Sequence, residues 1–153
     1  MGTGWLVAPD VLVTAGHCVH MWQNAWGHAS KINAYIGYSG RASIGTSNVQ
    51  TRRGVRAVTT EGWLTSNENR KNDVGFVKLD RPFDNVVPFE IGTTPTQGEE
   101  KLCVVGYPGD MYDRTTKEKG YYMFEEFVPT KFNLTTDKPA DMLSYKISTF
   151  NGK

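Results

Sequence analysis

Apolar and polar residues alternate with a period of two over much of the chain, and long runs with helical periodicity are scarce. Such alternation is typical of strands that turn one face to a core and the other to solvent. In residues 31–38, Ile32, Ala34, Ile36 and Tyr38 all fall on one face. The pattern therefore predicts an all-β chain.

Eight segments carry this strand pattern, and they fall into two groups. The predicted strands cover residues 5–8, 11–15, 31–38, 49–62, 74–79, 102–105, 121–132 and 142–149. Pro9 and Asp10 are turn residues and predict a hairpin between the first two strands. Proline and glycine recur in residues 84–99, which predicts a connection with a domain boundary near Gly92. Residues 1–92 and 93–153 would then form two β units, and alternation alone permits either sandwiches or barrels.

Composition and charge limit the classes of partner. The chain has 153 residues, 39% of them hydrophobic and 12% aromatic, which is enough to build a core. Seventeen basic and sixteen acidic residues give a net charge of +1, so no strong field attracts nucleic acid or anionic membranes. No apolar run approaches the roughly 20 residues that a membrane helix needs. We expect neither a nucleic acid nor a membrane partner.

Two short segments carry the candidate chemistry. His17 lies in a Thr-Ala-Gly-His-Cys run after the predicted hairpin, and Asp73 lies in an Asn-Asp-Val-Gly-Phe run before a predicted strand. A neutral imidazole can take a proton from a hydroxyl group and return it to a leaving amine. The order and context of these runs resemble the trypsin-like serine endopeptidases, the peptidase S1 group. The resemblance implies a chymotrypsin-like double β-barrel, with the first barrel largely present here and the second incomplete.

The same resemblance implies roles for three residues. His17 would be the general base, and Asp73 would accept a hydrogen bond from its Nδ1 and stabilise the imidazolium. Gly152 would donate one backbone amide to the oxyanion hole. The alternative for Asp73 is an aspartate that caps a turn before a strand.

The family's nucleophilic serine lies in a Gly-x-Ser-Gly motif. Matching Gly152 and Lys153 to its first two positions puts the serine directly after the last residue given, so we expect this chain to be cut short and inactive alone. Ser39 also lies in a Gly-x-Ser-Gly run, but it precedes Asp73, against the family order. Arg41 also occupies the place where a Gly-x-Ser-x-Gly elbow needs glycine. We interpret Ser39 as a hairpin-turn residue.

The residues around Gly106 and before Gly152 resemble one branch of this family, the glutamyl endopeptidases. In that branch, Thr149 matches a hydroxyl that helps to bind an acidic P1 carboxylate. Thr149 also shares strand parity with Leu143, Tyr145 and Ile147, so an ordinary strand threonine is an equal alternative.

The two cysteines have several possible states. The resemblance implies that Cys18 pairs with a cysteine before Met1, and that Cys103 pairs with one after Lys153. A bridge between Cys18 and Cys103, or two buried free thiols in a reducing compartment, are the alternatives.

A metal or cofactor is not expected from the sequence. His17, Cys18, His20 and Cys103 lack the spacing of a known structural zinc site. His20 and His28 are interpreted as loop or surface residues.

The sequence thus favours a secreted serine endopeptidase that hydrolyses proteins or peptides through an acyl-enzyme, and that is a monomer when full length. The alternative is a noncatalytic serine protease homologue that has lost its serine and serves as a protein-binding module. His17 and Asp73 are compatible with both.

Overall fold

The computed structural model describes residues 2–22, 27–109, 111–136 and 142. The chain separates into two compact units, Met1–Glu90 and Ile91–Lys153. The division into two barrels at Gly92 stays a prediction.

The first unit is built from short antiparallel strands. They are β1 (Gly4–Ala8), β2 (Val11–Thr14), β3 (His20–Met21), β4 (Gly27–His28), β5 (Asn33–Ile36), β6 (Gln50–Thr59) and β7 (Gly75–Leu79). Five of them form one sheet in the order β1-β2-β7-β6-β5, and β3 pairs with β4 in a separate two-stranded sheet. Among the described residues of this unit, the helical segments are one short helix, α1 (Glu61–Thr65), and 3₁₀ turns at Gly16–Cys18, Arg41–Ser43 and Arg70–Asn72. With the strands of the second unit, this confirms the all-β prediction.

The register of β2 against β7 positions the candidate chemistry. The two strands are antiparallel, and Thr14 at the end of β2 lies opposite Gly75 at the start of β7. The chain that leaves β2 therefore runs beside the chain that enters β7. This brings His17 and Asp73 together, although 56 residues separate them.

Strand β7 also supplies the centre of the core. Its inward residues Val77 and Leu79 are 0% and 2% exposed, whereas Phe76 and Lys78 alternate outward. Burying one such side chain contributes roughly 1.5–3 kcal/mol. Ala34 and Ile36 on β5, and Ile32 just before it, pack against this cluster. This confirms the inward face predicted for these three residues. The core therefore fixes the strand that directly follows the Asp73 segment and so positions the candidate site.

The strand predicted over residues 49–62 ends earlier in the structure than the sequence pattern indicates. Strand β6 ends at Thr59 rather than at Gly62, because Thr60 caps a helix. The Thr60 Oγ1 accepts a hydrogen bond from the backbone N–H of Trp63 at 3.1 Å. A threonine in this position satisfies an N–H group that the first helical turn leaves without a partner. The turn of helix then buries the Trp63 side chain.

The described part of the second unit contains one long hairpin. Strands β8 (Gln97–Gly106) and β9 (Phe124–Asn133) pair antiparallel along their full lengths. Strand β8 begins earlier than predicted, so part of the expected connection is strand. The strand predicted over residues 142–149 lies outside the described residues except for Met142. Within the described ranges, no helix is long and apolar enough to cross a membrane.

Candidate active site

His17 and Asp73 each lie in a short turn next to the paired ends of β2 and β7. His17 lies in the 3₁₀ turn Gly16–Cys18, which is closed by the N–H of Cys18 donating to Ala15 O at 3.0 Å. Asp73 follows the 3₁₀ turn Arg70–Asn72, and its backbone N–H donates to Arg70 O at 3.1 Å. Both side chains are thus held by backbone turns at the ends of two paired interior strands.

The carboxylate of Asp73 contacts His17 with both oxygens. Its Oδ2 lies 2.9 Å from His17 Nδ1, and its Oδ1 accepts the backbone N–H of His17 at 2.8 Å. The His17 side chain is 51% exposed, whereas that of Asp73 is 15% exposed. A carboxylate on Nδ1 favours the tautomer that carries its proton there. The other ring nitrogen, Nε2, is then the proton acceptor.

Gly16 allows the backbone to approach this carboxylate closely. An ideal Cβ on Gly16 would lie 2.9 Å from Thr59 Oγ1, 3.0 Å from Asp73 Oδ1 and 3.0 Å from Trp63 Cδ1. Contacts this short force a shift of the neighbouring atoms, so a larger residue would displace the Asp73 side chain. The glycine before the histidine is therefore part of the geometry of the site.

Two consecutive threonines fix the backbone on either side of Asp73. Thr60 Oγ1 donates to Asn72 O at 2.6 Å, and Thr59 Oγ1 donates to Val74 O at 2.7 Å. These bonds tie the end of β6 and the start of α1 to the segment that carries the carboxylate. Each such bond contributes about 0.5–1.5 kcal/mol, and together they limit the movement of Asp73.

Trp63 forms a wall beside the imidazole. Its ring meets the His17 ring edge to face, with centroids 6.5 Å apart and an angle of 60°. Its Nε1 donates to His20 O at 3.0 Å, so the indole is anchored at its polar end. Because Trp63 is buried, it limits the positions open to the His17 ring.

Sequence reasoning missed the roles of Thr59, Thr60 and Trp63. The signal present was a threonine followed directly by an acidic residue, which is typical of a helix start. The hydrogen bonds to Asn72 and Val74 depend on tertiary packing and leave no local pattern.

Cys18 changes the protonation of His17. The Cys18 side chain, hydrogen-bonded to the imidazole, is the main cause that raises the pKa of His17 from 6.5 to about 9, and the hydrogen bond to Asp73 adds to this rise. Partial burial acts in the opposite direction. Reciprocally, the hydrogen bond to His17 lowers the pKa of Cys18. An ionised Cys18 therefore favours the protonated form of His17, which is a poor proton acceptor.

Both cysteines are free in the structure, so the bridge between Cys18 and Cys103 is not formed. Cys18 is half-buried and Cys103 is exposed. Both thiols are free, as one alternative expects, but they are not both buried. The pairings with cysteines beyond Met1 and Lys153 stay predictions.

The other residues considered from the sequence are Thr149, Gly152 and the turn residue Ser39. Thr149 and Gly152 lie outside the described residues. Ser39 lies between Gly37 and Gly40, which both have positive φ, and its backbone N–H donates to Ser43 Oγ at 3.0 Å. This backbone arrangement agrees with a turn role for Ser39.

The histidines outside the candidate site are not loop residues. His20 and His28 lie on β3 and β4, which corrects the loop alternative, whereas the exposed position of His28 agrees with the surface alternative. Within the ranges that the structure describes, no group of three or more histidine, cysteine, aspartate or glutamate side chains is placed to hold a metal ion.

Replacing Cys18 by serine should lower the pKa of His17. A Cys18→Ser substitution removes the main cause of the rise, so the pKa should fall from about 9 toward 6.5. Protonated His17 stabilises the fold below pH 6.5, and this contribution is lost as the pH rises from 6.5 through about 9. NMR titration of the imidazole in both proteins checks this. The control Cys103→Ser should leave the pKa of His17 unchanged. If the pKa of His17 in Cys18→Ser equals that in the parent protein, the account is contradicted.

Two curated relatives match part of this chain. The extracellular metalloprotease of Bacillus subtilis strain 168 is 34% identical over 112 residues, and the glutamyl endopeptidase of Bacillus licheniformis is 26% identical over 117 residues. Each match covers 71% of this chain but only 33% of the relative, so the chain spans about a third of the length of these proteins.

A family model gives the broader classification. The model for the trypsin-like peptidase domain matches residues 2–152, which include both segments of the candidate site. This agrees with the all-β fold and with the order of His17 before Asp73 along the chain. The chain therefore belongs to the family of trypsin-like peptidase domains.

Proposed function

We propose that this chain is part of a serine endopeptidase in which His17 is the general base and Asp73 orients it. The observation that carries the proposal is the contact of 2.9 Å between His17 Nδ1 and Asp73 Oδ2. It is reinforced by the backbone N–H of His17 on the second carboxylate oxygen. Together these contacts set both the tautomer and the orientation of the imidazole.

The proposed reaction is acyl transfer followed by hydrolysis. A serine hydroxyl attacks the peptide carbonyl, and its proton passes to His17 Nε2, while Asp73 stabilises the imidazolium. Backbone amides hold the oxyanion, and Gly152 would donate one of them. His17 then gives the proton to the leaving amine, and water hydrolyses the acyl-enzyme. We propose that, in a longer form of the protein, the nucleophile is a serine directly after Lys153.

The state of Cys18 bears on this mechanism. A general base works best when its pKa lies near the working pH, and an unbridged, ionised Cys18 is the main cause that raises the pKa of His17 to about 9. A disulfide at Cys18 would remove this effect and leave Asp73 as the main partner of the ring. This favours a disulfide at Cys18 in the working enzyme, and with it secretion into an oxidising compartment.

The name of the Bacillus subtilis relative raises a metal-dependent reaction as the alternative. A catalytic zinc site takes three protein ligands, usually histidines and a carboxylate or cysteine. The parts of the chain that the structure describes bring no three such side chains together, whereas they do pair His17 with Asp73. The arrangement therefore favours the serine mechanism.

A preference for acidic P1 residues is a finer part of the proposal. It is supported by the glutamyl endopeptidase relative and by the position of Thr149 in the sequence. A hydroxyl that donates to a carboxylate contributes about 1.5–3 kcal/mol.

Replacing Asp73 by asparagine should remove most of the activity. In Asp73→Asn, the amide favours the wrong tautomer of His17, so kcat should fall about ten-thousand-fold while KM changes little. Steady-state hydrolysis of peptides by the protein extended past Lys153 measures this.

The matched control is Asp80→Asn, since Asp80 accepts the backbone N–H of Arg53 rather than a bond from His17. A kcat within tenfold of the parent would refute the role of Asp73. No hydrolysis by the parent itself would instead favour a noncatalytic binding homologue.

Replacing Thr149 by valine should weaken the preference for glutamate. In Thr149→Val, kcat/KM for a peptide with glutamate at P1 should fall about tenfold to a hundredfold, because the hydroxyl donor is lost. The same peptide with glutamine at P1 should be hydrolysed at a nearly unchanged rate. Thr149→Ser keeps the hydroxyl and should retain the preference. An equal loss on both peptides would assign Thr149 to the strand alone.

A further inference from the structure

His20 and His28 face each other across the small sheet formed by β3 and β4. They are directly opposite in the register of the two strands, so their side chains lie on the same face. The two Nδ1 atoms are 3.3 Å apart. The ring centroids lie 4.5 Å apart with an interplanar angle of 56°, so the rings are tilted rather than stacked. Without an ion, one Nδ1 can donate its proton to the other, so two imidazole nitrogens of different strands lie side by side.

The separation of these nitrogens fits a shared metal ion. Zinc binds histidine nitrogen at about 2.0–2.1 Å with tetrahedral angles, which puts two such nitrogens about 3.3–3.4 Å apart. The separation of 3.3 Å between the Nδ1 atoms of His20 and His28 agrees with this value. Aiming both lone pairs at one ion needs only a rotation of the rings about χ2, which is a soft torsion.

The surroundings of His20 hold it in position for such a role. The ring of Trp22 packs edge to face on the His20 ring, with centroids 5.5 Å apart and an angle of 87°. The His20 carbonyl accepts Trp63 Nε1, and Trp22 Nε1 donates to Trp63 O at 2.9 Å. Ligands that packing and hydrogen bonds already hold lose less entropy when an ion binds. His28 is exposed, so an ion can reach the pair from solvent.

We propose that His20 and His28 form a two-histidine site for a divalent transition metal ion such as zinc, which joins β3 to β4. Imidazole is a preferred ligand of zinc, copper and nickel. No third histidine, cysteine or carboxylate side chain joins the pair within residues 2–22, 27–109, 111–136 and 142, so water completes the coordination sphere. The ion lies outside the proposed reaction, since His17 Nδ1 is already bound to Asp73.

The spacing of residues along the chain does not point to this pair. By spacing, the candidate partners of His20 are His17, Cys18 and Cys103, and these predict no metal site. The partner that the structure gives His20 is His28, eight residues away and opposite in register.

Zinc titration tests the proposal. The protein is prepared without an affinity tag and with Cys18→Ser and Cys103→Ser, so that thiols do not bind the ion. Calorimetry should show one saturable zinc site, and zinc should raise the Tm because it binds the folded hairpin. His28→Gln should weaken binding at least about tenfold, since one of two ligands is lost. The matched control His17→Gln should bind zinc as the parent does.

A second measurement remains informative if His28→Gln disturbs the hairpin. In the parent, zinc should shift the ¹⁵N resonances of Nδ1 in both His20 and His28, and leave that of His17 unchanged. No saturable binding at millimolar zinc, equal affinity in His28→Gln, or unshifted Nδ1 resonances would each overturn the proposal.

Discussion

The antiparallel pairing of β2 with β7 is the constraint on which the candidate site depends. Because Thr14 lies opposite Gly75, the turn after β2 and the turn before β7 lie side by side. Val77 and Leu79 anchor β7 in the core, so packing in the interior fixes the position of Asp73 at the strand's end. The hydroxyls of Thr59 and Thr60 hold the same segment from the neighbouring strand. The geometry of two side chains thus rests on the register of a whole sheet.

The chemistry of the site depends on a second local interaction. Cys18 and Asp73 both stabilise the protonated imidazole, but they differ in consequence. In the proposed mechanism, Asp73 orients the ring and supports the charge that forms during proton transfer, whereas an ionised Cys18 favours the protonated ring before the reaction. A redox change at one residue therefore alters the pH at which its neighbour can accept a proton. This links the proposed activity to the compartment in which the protein works.

Much of the fold was predictable from the sequence because alternation is a local signal. The hairpin at Pro9 and Asp10, the inward face of β5 and strand β7 all follow from it. Strands β3 and β4 did not, since two residues cannot show a period of two. Helix α1 was missed because its five residues are too few to show helical periodicity.

The two residues of the candidate site were predictable from the sequence, whereas the contacts that hold them in place were not. His17 and Asp73 lie in distinctive local runs, and the structure brings them together. The contact of Trp63 with His17 arises only when distant segments pack, and that of His28 with His20 depends on the register of two strands too short to be recognised. Such contacts leave no trace in the spacing of residues along the chain.

Covalent labelling tests the central claim most directly. The protein extended past Lys153 is treated with a serine-directed fluorophosphonate, and mass spectrometry locates the modified residue. The account predicts one label, on the serine proposed to follow Lys153, and loss of labelling in His17→Ala because the hydroxyl then has no base. A label on Ser39, labelling that persists without His17, or no labelling of a protein that still hydrolyses peptides would contradict the account.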